Sequence, residues 1–227
     1  MIAGLKQFVV IAGGGTGSRM NSGLPKQFHL LAGKPILAHT IMLFAEVLKD
    51  AEIIVVLPDP YIIYWETYCK ESSFAHRHQI VAGGKERFHS VKIALDLVPD
   101  GCVVGVTDAV RPLVSKFSIQ NAFDAARREG AAIPFVPVRE SLRKITENGS
   151  IAVSRAAYII VQTPQCFHSS IIKKAYGQEF ADEFTDDASV VESVGYTISL
   201  VQGNPENIKI TEPTDLLFAE EIIKSNK

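Results

Sequence analysis

Phe8-Val9-Val10-Ile11-Ala12-Gly13-Gly14-Gly15-Thr16-Gly17-Ser18-Arg19-Met20 joins an uninterrupted apolar run to a glycine-rich loop, and Pro25-Lys26-Gln27-Phe28 follows shortly after. An apolar run without polar alternation predicts a strand buried on both faces, as in a parallel sheet covered by helices. Glycines tolerate positive φ and leave backbone N–H groups uncovered, so Gly13, Gly14 and Gly15 can bring the main chain close to phosphate oxygens. Arg19 and Lys26 put two cations at the same place. The stretch predicts a nucleotide site at the end of the first strand.

Two common loop types do not fit. A dinucleotide fingerprint, G-x-G-x-x-G, would need glycine where Ser18 stands, and an acid about 20 residues on at the end of the second strand. The second apolar run, Ile53 to Leu57, comes much later, so a nucleotide-dependent oxidoreductase is disfavoured. A P-loop would need Gly-Lys-Ser/Thr after four spacer residues, and no such tripeptide follows Gly13. What remains, Gly-x-Gly-x-Arg followed by Pro-Lys, resembles the signature of sugar-phosphate nucleotidyltransferases.

The chain has 227 residues, 47% of them hydrophobic, enough for one sizeable core, and no linker-like stretch divides it. We expect a single domain over 1–227. A net charge of -2 supplies no field for nucleic acid, so an anionic ligand must be held by local cations. Cys69, Cys102 and Cys166 are odd in number and lack CxxC spacing, which argues against a disulfide framework and against a zinc site. There is no charged-then-apolar leader pattern, and no apolar run approaches the ~18 residues of a membrane span. A cytoplasmic protein is expected.

Further apolar runs at Ile53–Leu57, Cys102–Thr107 and Ala131–Val136 alternate with helical patterns. Ile36 to Val47 follows Pro35, a favourable first helical residue, and repeats Leu37, Ile41, Phe44 and Val47 at helical spacing. A strand-like Ile80-Val81-Ala82 breaks at Gly83-Gly84, after which Phe88, Val91, Ala94 (or Leu95) and Val98 share a helical face; Lys116–Arg128 and Pro213–Ile223 are also amphipathic. This rhythm predicts an α/β, Rossmann-like open sheet, mostly parallel and flanked by helices. Residues 138–155 depart from it: alternating residues around Glu147-Asn148-Gly149-Ser150 predict a β-hairpin. With few large apolar side chains of its own, this arm should pack on something else.

Seven motifs in order carry a resemblance over nearly the whole chain. They are Ala12–Met20 with Pro25–Phe28, Gly83–Val91, Asp108–Pro112, Pro137–Ser141, Gln162–Phe167, Thr185–Ser189 and Asn207–Thr211. Together they are similar to the 2-C-methyl-D-erythritol 4-phosphate cytidylyltransferase family. The resemblance implies cytidylyl transfer from CTP to a polyol phosphate with release of pyrophosphate, dependence on a divalent ion such as magnesium, and a homodimer formed through the hairpin arm. It assigns Arg19 and Lys26 to the triphosphate and Lys209 to the reacting phosphates. It gives Gly83, Gly84 and Ser90 to cytosine and ribose, and Ser141 and Arg155 to the acceptor in a neighbouring subunit's site. The chain departs from the family's usual pattern at Lys85, where an acid is usual, at Thr107 and Val110, where His and Ala are usual, and at Glu140-Ser141, where Asp-Thr is usual. Ribitol 5-phosphate cytidylyltransferases share part of the pattern and are the nearest alternative; a CTP-binding regulator without turnover is the alternative of another class.

The residues themselves add to this. Asp108 ends an apolar strand, and open α/β sheets bind ligands at the carboxyl ends of their strands. With Arg111 it is a candidate for holding the substrate; it can accept from substrate hydroxyls, lie near magnesium, or pair structurally with Arg111. Arg155 suits a phosphate, since a guanidinium offers two parallel hydrogen bonds. Thr163, next to Pro164, supplies a hydroxyl or a backbone group near Arg155 and Ser141, and His89 has no partner visible in the sequence. Thr185 reads as a helix N-cap with Asp186 in the first turn, and Asp187 is open between cap and catalytic acid.

Overall fold

A computed structural model describes residues 4–14 and 23–225. Arg19 and Gly15 lie outside the described residues. The first apolar run is strand β1 (Gln7–Ala12), a central strand of the main sheet. Next come a short hairpin, β2 (Leu30–Leu31) and β3 (Lys34–Pro35), and helix α1 (Ile36–Val47). Pro35 takes the N-cap of α1, one position before the first helical residue expected of it, because it is also the last residue of β3.

The second run is β4 (Glu52–Leu57), followed by α2 (Ile62–Glu71), β5 (Gln79–Ala82) and α3 (Arg87–Leu95). The third is β6 (Val103–Asp108), then α4 (Lys116–Glu129) and β7 (Ala131–Pro137). Ser115 caps α4 by accepting from Ser118 N, and Gly130 ends it at φ 94°, a left-handed position that favours glycine. β1 pairs in parallel with β4 and β6, and β4 with β5.

Beyond the hairpin arm the chain adds β10 (Ile159–Val161), β11 (Gln165–His168), α5 (Ser169–Tyr176), α6 (Asp187–Glu192), β12 (Ser199–Gln202) and α7 (Pro213–Ser225). The arm itself is β8 (Leu142–Thr146) and β9 (Gly149–Val153). β11 inserts antiparallel between β6 and β7; β12 pairs in parallel with β7, and β10 runs antiparallel to its carboxyl end. The result is the expected open, mostly parallel sheet.

Alternate residues of β1 feed two cores. Val9 and Ile11 pack with Phe44, Ile119 and Phe123 on one face; Phe8 and Val10 pack with Phe88, Val91 and Ile172 on the other. This double burial is why the strand reads as continuously apolar. Gly105 in β6 leaves room for Phe123: a Cβ there would lie 2.5 Å from Phe123 Cζ.

In the arm, Thr146 pairs with Gly149, so Glu147 and Asn148 form the two-residue loop. The turn sits one residue earlier than Asn148-Gly149 suggests, because Gly149, at φ 128°, closes the ladder instead of occupying the loop. Ile145 is 85% exposed and Ile151 54%, so the arm has no core of its own.

Candidate active site

Parallel pairing places Ala12 opposite both Val56 and Asp108, bringing the glycine loop and the Asp108 carboxylate to one end of the sheet. Gly13 donates its N–H to Val56 O and accepts from Gln27 Nε2 at 2.6 Å, which ties the loop's start to the Lys26–Phe28 turn. The turn after β5 closes on Ser90: its Oγ accepts from Gly84 N at 3.1 Å, and a Cβ on Gly14 or Gly83 would lie within 3 Å of it. The glycines are thus required by close approach.

These pieces enclose a cleft with two lobes. The larger, about 300 Å³, is lined by Gly13, Gly14, Lys26, Gly84, Lys85, Ser90 and neighbours. The smaller, about 170 Å³, is lined by Arg111, Gln162, Thr163, Thr185 and Asp186 among others. Arg87, Asp108 and Lys209 line both. A ligand in each lobe would meet at these three side chains.

Asp108 is the hub. Its Oδ2 lies 3.1 Å from Arg111 Nε and 3.1 Å from Lys209 Nζ, and its Oδ1 lies 3.7 Å from Arg87 Nε. Burial would push the carboxyl up, but the charges of Arg87, Lys209 and Arg111 together outweigh it and hold the group well below the usual carboxylate range. The pairing of Asp108 with Arg111 is present, yet it is one of three. Lys209 is delivered by the strandless segment before α7, where buried Ile210 donates its N–H to Val110 O at 3.0 Å.

Thr163 Oγ1 accepts from Asp108 N at 3.2 Å and pairs with Thr107 Oγ1 at 2.9 Å. Thr107 thus uses its hydroxyl to hold the loop that orients Asp108. Asn207 Nδ2 donates to Thr163 O, and Arg111 Nη1 to Asn207 O at 2.7 Å. Lys85 is exposed at the rim of the larger lobe, and Val110 is buried beneath it.

Arg87 Nη1 and Nη2 donate to the two oxygens of Asp187 at 2.8 and 2.6 Å, and Tyr176 Oη donates to Asp187 at 2.6 Å. Asp187 is fully buried. Asp186, not Thr185, is the N-cap of α6: its side chain accepts from Ser189 N while Ser189 Oγ accepts from Asp186 N. The capping box settles that position because Ser189 stands three residues on. Ser141 and Arg155 lie on the exposed arm and line neither lobe within one chain; Arg155 Nη1 donates to Arg139 O.

Among the described residues no three His, Cys, Asp or Glu side chains gather as a metal site. Asp108 already faces three cations, so this donor set fits a divalent ion carried in by triphosphate oxygens better than one caged by the protein. Among the described residues no helix is long and apolar enough to cross a membrane.

The family model for 2-C-methyl-D-erythritol 4-phosphate cytidylyltransferase matches residues 7–225. The chain belongs to this family. Relatives carrying that name include one from Bacteroides thetaiotaomicron, 47% identical over 96% of this chain and 100% of its own length. Another, from Bacteroides fragilis, is 48% identical over 94% of this chain and 98% of its own. The crystal structure of the Thermus thermophilus family member superposes with a TM-score of 0.75 at 29% identity, covering 97% of this chain and 98% of that one. The Anaerococcus prevotii 4-diphosphocytidyl-2C-methyl-D-erythritol synthase shares the fold, with a TM-score of 0.82 at 23% identity, over 97% of this chain and 96% of its own.

Sequence reasoning gave no role to Arg87, left Asp187 open, and did not single out Gln162 or Asn207. Arg87 sits inside the Gly83–Val91 motif, which marks the segment but not the residue's role. The partnership with Asp187 spans 100 positions and left no local trace.

Proposed function

We propose that the larger lobe binds CTP and the smaller 2-C-methyl-D-erythritol 4-phosphate, so that a phosphate oxygen of the acceptor attacks the α-phosphorus of CTP. The bond from that phosphorus to the oxygen bridging to the β-phosphate breaks, and its electron pair leaves on pyrophosphate. Two anions must meet, so the protein's contribution is positioning and preorganised positive charge. Lys26 and Arg19 hold the triphosphate, and Lys209 meets the reacting phosphates. Asp108 fixes Lys209 and Arg111 and accepts from acceptor hydroxyls, while Thr163 orients the loop beside it. Gly83, Gly84 and Ser90 receive cytosine and ribose through backbone groups, which makes an acid at Lys85 dispensable. When bound, mainly through CTP phosphates beside Asp108, a magnesium ion would supply further charge neutralisation.

The observation that carries this reading is the sharing of Asp108 and Lys209 by two adjoining lobes at the carboxyl ends of parallel strands. The whole chain, 1–227, works as one domain in the cytoplasm, with the 138–155 arm reaching a second subunit. Ile145, Ile151, Ile159 and Ile160 form exposed apolar surface on the arm and on β10, which supports a homodimer there. Arg155 and Ser141 then complete the acceptor lobe of the neighbouring subunit.

The test is pyrophosphate release from CTP with competing polyol phosphates. We expect a higher kcat/KM for 2-C-methyl-D-erythritol 4-phosphate than for D-ribitol 5-phosphate, because an unmatched hydroxyl in a polar site costs more than the ~1–3 kcal/mol of a methyl group. A higher value for ribitol 5-phosphate would overturn the acceptor and leave the transfer chemistry standing.

A further inference from the structure

Among the described residues, Arg87 is the one cation of the Asp108 cluster that is anchored from behind by a buried carboxylate. Asp187 has no solvent exposure and accepts from both terminal nitrogens of the guanidinium. Tyr176 Oη donates to the same carboxylate at 2.6 Å, and its ring stacks on Phe88, the residue after Arg87, with centroids 4.7 Å apart. Asp187 itself opens α6, which is pinned to β11: Gln165 Nε2 donates to Asp186 Oδ2, and Ala188 N to Gln165 Oε1. Three elements therefore converge to fix one arginine.

The fixed arginine still has donors to offer. Its Nε lies 3.7 Å from Asp108 Oδ1, an ion-pair separation beyond hydrogen-bond length, and among the described residues its side chain's only hydrogen bonds are the two to Asp187. Arg111, by contrast, spends its Nε on Asp108 and Nη1 on Asn207 O. Arg87 also lines both lobes, and its Nε faces Asp108, which lines both as well. An arginine side chain is ordinarily costly to order, and here that ordering precedes ligand binding.

Building on the two-lobe reading above, we propose that Arg87 is a catalytic residue touching the reacting phosphates between the lobes, and that Asp187 and Tyr176 are its positioning residues. In this arrangement Asp187 takes the end of the guanidinium and leaves its Nε edge for phosphate oxygens. Charge developing between acceptor and leaving pyrophosphate then meets a cation that does not have to move. Asp187 never contacts substrate.

The experiment is a double-mutant cycle on pyrophosphate release by the full chain, with thermal unfolding measured on each variant. Arg87→Lys keeps charge and loses the fork, and should lower kcat about 100-fold with KM for CTP changed by less than about threefold. Asp187→Asn should lower kcat about 10-fold, and adding it to Arg87→Lys should cost at most about twofold more, since it acts only through Arg87. Independent, multiplying effects would overturn the proposal. So would variants with lowered melting temperature and parental kcat, the result expected if the pair merely joins α6 to α3. Tyr176→Phe removes one hydrogen bond and no charge, so it is testable even where the ion-pair variants are unstable. It should lower kcat about twofold to threefold, and a parental kcat would count against positioning. A parent that binds CTP but releases no pyrophosphate with any acceptor defeats the two-lobe reading itself; an active parent with an equally active Arg87→Lys defeats this proposal alone.

Discussion

Asp108→Asn removes one negative charge from the middle of three cations at 3.1, 3.1 and 3.7 Å. Each pair at that separation is worth about 5 kcal/mol at an effective dielectric of 20, before the desolvation of the carboxylate and the mutual repulsion of the cations are set against it. Breaking a buried pair from one side typically costs 3–5 kcal/mol net. Here the lower end applies, because Arg87 keeps Asp187, Arg111 keeps Asn207 O, and Lys209 is 42% exposed and can turn to water. The expected loss is therefore about 3 kcal/mol, or about 6–12 °C in melting temperature for a chain of this size. The pH dependence has a definite sign. The carboxyl is held below its ordinary value in the folded state, so its contribution is complete above about pH 4 and is lost as pH falls through the folded value. Urea unfolding of parent and variant at one protein concentration should give a constant gap from pH 8 to 5 that narrows below about pH 4. A gap under about 1 kcal/mol at pH 7 would refute the reasoning, given the 3–5 kcal/mol usual for such a pair; a gap that widens in acid would refute it too.

Lys26→Ala and Lys209→Ala should each lower kcat/KM by roughly 10²–10⁴ with little change in melting temperature, as expected for single preorganised charges; near-normal turnover of either would reject its role. Mixing Arg155→Ala and Lys26→Ala proteins should restore part of the activity through shared sites, and verified heterodimers without recovery would place both residues in one subunit's site. Gly105→Ala should destabilise by about 1–3 kcal/mol, since the new methyl would sit 2.5 Å from Phe123 Cζ and 3.2 Å from Cys166 Sγ; an unchanged melting temperature would show that Phe123 can move aside.

The parts of the fold legible in sequence are those where one physical demand dominates. Val9 to Ile11, Ile53 to Leu57 and Val103 to Val106 are buried on both faces, so nothing polar interrupts them. α1 announced itself by Leu37, Ile41 and Phe44, all fully buried. β10, β11 and β12, with three or four residues each, are too short for periodicity to register. β11 also runs against its neighbours, which no local pattern encodes. At the site, Asp108 was legible because it ends a strand. Arg87 was not, because its meaning depends on Asp187 and Tyr176, and a charged residue at the start of an amphipathic helix reads as solvated until the opposite helix is in place.

The cluster around Asp108 joins residues 87, 108, 111, 187 and 209, drawn from more than half the length of the chain. Contacts of such wide sequence separation require long loops to close before they repay the entropy of closing them, so they form late. Lys209 follows the other four in chain order, and the buried Arg87–Asp187 pair cannot exist until α6 has been synthesised and docked. A nascent or truncated chain can hold much of the parallel sheet and still have no site. Recovery of turnover during refolding is accordingly a stricter measure of completed assembly than recovery of helical signal, and it should lag behind it.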